Sequence, residues 1–136
     1  MKTAFGYAAI TIVAMSFGLA HAADNSLSLT GSQEVPPVAT DAKATGTIKI
    51  GADKSVRGSI KTTGLSGTAA HIHLAEVGQN GPPIIPLLKA SDNEWTVPPG
   101  ATLNDEQYAA YKAGNLYVNV HSDAHKPGEI RTQLRP

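Results

Sequence analysis

His71 and His73 flank Ile72 in Ala-Ala-His-Ile-His-Leu, and His121 and His125 bracket Ser-Asp-Ala just after Leu-Tyr-Val-Asn-Val. On a strand, residues i and i+2 point to the same side, roughly 6–7 Å apart along the chain. Two imidazoles so placed can converge on one ion at about 2.0 Å from each nitrogen. In the run before His121, Val118 and Val120 share one face, while Tyr117, Asn119 and His121 share the other. If the two strands are neighbours, His121 completes a site with His71 and His73. His125 then approaches from the following loop, as a fourth ligand or as a hydrogen-bond partner of the others. Ordinary surface or hydrogen-bonded histidines are the competing explanation, but confining all four histidines that follow residue 22 to two windows favours a metal site.

The chain contains no cysteine, so thiolate metal sites, thiol catalysis and disulfides are all excluded. A site made only of imidazole suits Cu(II), Zn(II) or Ni(II), and intrinsic affinity peaks at copper. Copper is therefore the expected cofactor, with zinc second. Calcium and magnesium prefer oxygen donors and fit poorly.

Other residue types point to structure more than to chemistry. Glu34 lies in Gln33-Glu-Val-Pro-Pro37, where a carboxylate capping local backbone donors is the simplest role. Glu129 and Arg131 share one strand face and are expected to form an ion pair. Tyr117 and Asn119 lie on the His121 face, where either can orient a ligand imidazole or serve packing alone. Trp95, Tyr108 and Tyr111 read as packing residues. Gly78-Gln-Asn-Gly81 is a turn, since no Lys-Ser/Thr and helix follow it as in a phosphate loop. Ser122 and Asp123 adjoin His121, but adjacency does not make a catalytic triad.

The elements that must position these residues are short. Gly, Pro, Thr, Asn and Asp punctuate the chain every eight to twelve residues, with alternating or β-branched runs between, the pattern of a sandwich or barrel. Residues 44–50 and 55–62 read as a hairpin about the turn Gly51-Ala-Asp-Lys54, with Ile48 and Ile50 on one face and Val56 and Ile60 on one face. Further strands are expected at 27–33, 69–75, 84–88, 94–97, 116–121 and 128–134. One helix is expected after Asn104, where Asn104-Asp-Glu-Gln107 forms a capping box and Gly114 closes the segment. The expected fold is all-β: an antiparallel, Greek-key-like β-sandwich of about seven to eight strands with one short helix.

The N-terminus reads as a secretory signal over residues 1–22. Lys2 supplies the positive charge, 8–19 are apolar, and Ala20-His-Ala22 is a small-x-small cleavage pattern. This implies a single mature domain over 23–136, periplasmic or secreted, with no membrane anchor after cleavage. The whole chain has 11 basic and 11 acidic side chains. That balance leaves no electrostatic footprint for nucleic acid or an anionic membrane.

The same residues carry a family likeness. Leu29-Thr-Gly-Ser-Gln-Glu-Val-Pro-Pro37, Ala70-His-Ile-His73, Asn80-Gly-Pro82, Leu116-Tyr-Val-Asn-Val-His121 and Pro127-Gly-Glu-Ile-Arg131 occur in the order seen in the CHRD domain, which the chain resembles. That module was first noted as a repeat in chordin and is common in exported bacterial proteins. The resemblance implies that His71, His73 and His121 are characteristic positions; at position 125 many members carry asparagine, so His125 is the least secure ligand. A weaker, architectural similarity is to copper/zinc superoxide dismutase, which also places a His-x-His on one strand and a further copper ligand on a later one. The zinc-loop ligands, bridging histidine and structural disulfide of that enzyme are not recognisable here. Only a copper-only version is open, with Arg131 attracting the superoxide anion.

Three functions follow as expectations. The first is an exported copper-binding or copper-handling protein. The second is a copper-dependent, superoxide dismutase-like oxidoreductase, and the third a non-catalytic interaction module. Hydrolytic zinc chemistry ranks last, because no general base is evident.

Overall fold

The computed structural model describes residues 26–136. The signal segment 1–22 and its cleavage pattern lie outside the described residues. Nine antiparallel strands form the framework of the described residues: β1 (Ser26–Thr30), β2 (Lys43–Ile50), β3 (Val56–Thr63), β4 (Gly67–Leu74), β5 (Pro83–Pro86), β6 (Leu88–Ser91), β7 (Glu94–Thr96), β8 (Leu116–Ser122) and β9 (Ile130–Leu134). One helix, α1 (Asp105–Lys112), precedes β8. The strands join into one sheet in the order β5-β4-β8-β9-β1-β2-β3-β7-β6. All pairings are antiparallel.

The sheet folds back on itself. Gly67 at the start of β4 lies against both Trp95 of β7 and Val120 of β8, so the two halves of the sheet face each other across one core. Leu29, Ile60, Ile72, Leu116, Val118, Val120 and Ile130 are fully buried in that core. The two ends of the sheet are joined by a single residue: β5 ends at Pro86, β6 begins at Leu88, and the Leu87 amide donates to the Ala70 carbonyl of β4 at 2.9 Å. The sheet is thereby nearly closed, which leaves little free edge for pairing with another chain.

The hairpin expected around residue 52 is present, with Ile50 opposite Val56 and Ile48 opposite Gly58. The helix also forms as expected. Asn104 accepts from the Gln107 amide, and the Gln107 side chain accepts from the Asn104 amide.

Three elements differ from expectation, each for a local reason. Strand β1 stops at Thr30, and Gly31–Gln33 turn into a 3-10 helix. The expected strand 84–88 divides at Leu87 into β5 and β6, and the proline of Pro83 opens β5 at the sheet edge, where its missing donor is not needed. The stretch 88–91 has no buried residue and so carries no alternation to read. Residues 128 and 129 fall before β9, in the turn that follows β8.

Gly58 shows how tightly the hairpin is made. Its φ is +141°, and a Cβ there would collide with the Thr47 carbonyl on β2. Gly58→Ala is expected to lower stability by more than about 1 kcal/mol in denaturant unfolding, because it adds both a strained backbone and a clash. An unchanged midpoint would contradict that reading of the hairpin.

Candidate metal centre

Strand β8 carries the site because both of its faces are covered. Leu116, Val118 and Val120 point into the core, yet Tyr117 and Asn119 on the opposite face are buried as well, and His121 is half-buried. Pairing with β4 sets His73 opposite Tyr117, His71 opposite Asn119 and Ala69 opposite His121. Pairing with β9 sets Asn119 opposite Arg131 and Tyr117 opposite Gln133. The outer face of these three strands is therefore a polar layer, and loops close over it.

His71, His73 and His121 meet in this layer. One nitrogen from each lies within 4.8 Å of the other two. The closest approach is His71 Nδ1 to His121 Nε2 at 3.1 Å. Ligand nitrogens that share one ion at about 2.0 Å stand about 3.3 Å apart, so this pair already has the spacing, and the third ring offers a nitrogen within 4.8 Å of both.

The tautomers favour coordination. His73 Nδ1 lies 2.9 Å from the Gly81 carbonyl, and His121 Nδ1 lies 2.7 Å from the Lys126 carbonyl. A carbonyl only accepts, so both Nδ1 atoms must carry the proton, and in the neutral rings both Nε2 atoms are acceptors, that of His121 facing His71 Nδ1 at 3.1 Å. His73 is 7% exposed, and its Nε2 is buried without any hydrogen-bond partner. A buried polar atom left so is costly unless something completes it.

The rings also resist protonation. Burial holds His71 below the usual histidine range, reinforced by the neighbouring His121 and His73. Burial does the same to His73, where the Gly81 carbonyl and Asn119 pull the other way and His121 and Arg131 add to the lowering. Both imidazoles are thus neutral, as metal ligands must be.

The orientation of His73 comes from residues 79–81. Gly81 accepts from His73 and donates its amide to the Tyr117 hydroxyl at 3.2 Å. Asn80 Oδ1 accepts from Arg131 Nη1 at 3.1 Å, and the Gln79 carbonyl accepts from Arg131 Nη2 at 2.6 Å. The Tyr117 ring stacks on His73 with centroids 4.6 Å apart and planes within 1°. On its other side lies the Arg131 guanidinium, 3.4 Å from the Tyr117 centroid. A side chain at position 81 would strike the Leu74 carbonyl, so this approach of loop to strand requires glycine.

Sequence reasoning named Gly78–Gly81 only as a turn; that it carries the hydrogen bonds of three buried side chains from three strands is set by contacts distant in sequence. The Asn80-Gly-Pro82 match to the CHRD pattern was the one signal pointing there.

The remaining candidates are placed elsewhere. His125 lies outside the three-histidine group and lines a separate cavity of about 190 Å³ with Glu34, Pro36, Pro37 and Pro127. Arg131 is 2% exposed and stacks behind Tyr117. It forms no ion pair with Glu129, whose carboxylate instead accepts from Ser122 at 2.7 Å and Thr40 at 2.8 Å. Asn119 Nδ2 reaches Glu34 Oε1 and the Pro127 carbonyl at 3.5 Å each, while its Oδ1 is buried without a partner. Glu34 is 5% exposed rather than a surface cap. Burial pushes its pKa up to about 7, with Asn119 and Arg131 pulling it down.

The family model of the CHRD domain matches residues 26–134, nearly all that is described. The chain belongs to the CHRD domain family. That membership marks the CHRD domain here as an extracellular-type module. No curated protein and no solved structure shows significant similarity to it. No helix among the described residues is long and apolar enough to cross a membrane.

The raised Glu34 pKa has a measurable consequence. The folded state holds a proton at Glu34 that the unfolded chain releases near 4.5. Stability from this group is therefore complete below about pH 4.5 and is lost as pH rises through about 7. Glu34→Gln removes that dependence, so relative to wild type it is expected to gain up to about 3 kcal/mol between pH 4.5 and pH 8. Urea unfolding of both proteins at the two pH values checks this, and parallel pH profiles would contradict it.

Proposed function

We propose that this CHRD domain binds one metal ion, copper in preference to zinc, through His71, His73 and His121, as an exported metal-binding or metal-handling protein. The observation that carries the reading is His73 Nε2, a buried lone pair with no hydrogen-bond partner, on a ring whose centroid lies 5.5 Å from that of His71 and 6.0 Å from that of His121. Three neutral nitrogen donors without sulfur or carboxylate suit copper first. His71 and His121 are only half-buried, so an ion held there keeps a side open to solvent. The sequence of 1–22 and the family's extracellular character support export to the periplasm or beyond, and the neutral charge balance argues for the metal rather than nucleic acid as partner.

Nothing in the geometry favours superoxide dismutation over binding. The Arg131 donors are engaged by Asn80 and Gln79 beneath the loop, so this side chain is a poor guide for an incoming anion.

Loading the protein with equimolar copper and zinc, desalting and analysing the metal content tests the proposal. Wild type is expected to retain about one copper per chain, and His73→Ala to lose at least about tenfold in affinity. His125→Ala is expected to retain copper as wild type does. No retention by wild type, or equal retention by folded His73→Ala, would contradict the site and leave a non-catalytic interaction module as the better account.

A further inference from the structure

The donor set explains affinity for copper but not which oxidation state is held. Three neutral imidazoles leave the metal's own charge uncompensated, and imidazole accepts both Cu(I) and Cu(II). The preference then depends on fixed charges nearby, which at a site open on one side act through an effective dielectric of about 20. Among the described residues Arg131 is the one buried lysine or arginine. Its guanidinium lies 3.4 Å from the Tyr117 ring centre, and that ring lies 4.6 Å from His73 in a parallel stack. The group is 2% exposed and held by Asn80 and the Gln79 carbonyl, so it neither swings away nor is neutralised by bulk water. Arginine keeps its charge even when buried.

We propose that Arg131, stacked behind Tyr117, biases the three-histidine site toward monovalent over divalent copper. The inference rests on the metal-site reading above and extends it to the state of the ion. A fixed positive charge repels a divalent ion by one unit more than a monovalent one. At roughly 10 Å and an effective dielectric of about 20, that difference is about tenfold in relative affinity, or about 59 mV for a one-electron couple. Tyr117 sets the spacing: it holds the cation close enough to act and keeps the guanidinium from contacting the ion. Glu34 opposes the bias at pH 8, where its carboxylate is ionised: its Oε1 accepts from Asn119, which sits opposite Arg131 across β8 and β9. Asp123 and Lys126 sit on the exposed turn after β8, where solvent screens them.

A purely structural Arg131 would change both copper affinities alike. An electrostatic one changes their ratio, and opposite charge changes move it in opposite directions. Cu(I) affinity is measured by competition with a chromophoric Cu(I) chelator under reducing, anaerobic conditions, and Cu(II) affinity by competition with a Cu(II) chelator, both at pH 8. Arg131→Gln is expected to lower the Cu(I)-over-Cu(II) ratio about tenfold, with Arg131→Lys within about threefold of wild type. Glu34→Gln is expected to raise the ratio, and it decides the matter if Arg131→Gln does not fold. Copper binding with a ratio unchanged in Glu34→Gln and in folded Arg131→Gln overturns the inference and leaves the metal site intact. Failure of wild type to bind either ion overturns both.

Discussion

A strand buried on both faces must satisfy two solvents at once, and β8 does so by strict alternation. Its inner side chains, Leu116, Val118 and Val120, are fully buried in the core. Its outer side chains, Tyr117, Asn119 and His121, cannot be left facing apolar surface, so the loops laid over them must be polar on their inner side. Residues 79–81 meet that demand with two carbonyls, an amide N–H and the Asn80 side chain. Asn80 Nδ2 in turn donates to the Val35 carbonyl at 2.8 Å, which ties the loop to the segment after β1. The histidine cluster lies at the margin of this layer, with His73 buried and His71 and His121 half-buried.

The same layer explains the unusual state of its ionisable groups. Glu34, His71 and His73 are all moved toward their neutral forms, and burial is the leading cause for each. Arg131 retains a charge because its guanidinium has carbonyl and amide oxygen acceptors and an aromatic face. Arg131 thus keeps its charge beside two histidines held neutral, and Glu34, pushed up to about 7, is the acidic group that acts on it.

Much of this was legible from residue types. Period-two alternation located the hairpin of β2 and β3 and the two strands that bear histidine, since each has one apolar face. The spacing of His71 and His73 was enough to place both rings on one side, and the adjacency of β4 and β8 then delivered His121. What stayed hidden depended on contacts distant in sequence. Nothing local marks Glu34 as buried, because its environment is made by Asn119, 85 positions away. Arg131 and Glu129 look paired on one strand, but Glu129 precedes β9 and finds Ser122 and Thr40 instead. His125 is near His121 in sequence, yet the turn that begins at Ser122 carries it into the cavity with Glu34.

The central claim is that His73 and His121 present Nε2 to a common ion while Nδ1 stays protonated against a backbone carbonyl. Long-range proton–nitrogen correlation spectra of the imidazoles, recorded before and after one equivalent of diamagnetic zinc, test it directly. The expected result is a shift of the Nε2 resonances of His73 and His121, both Nδ1 protons retained, with His71 shifting alongside and His125 unmoved. Unchanged cluster resonances, or a shift confined to His125, would contradict it.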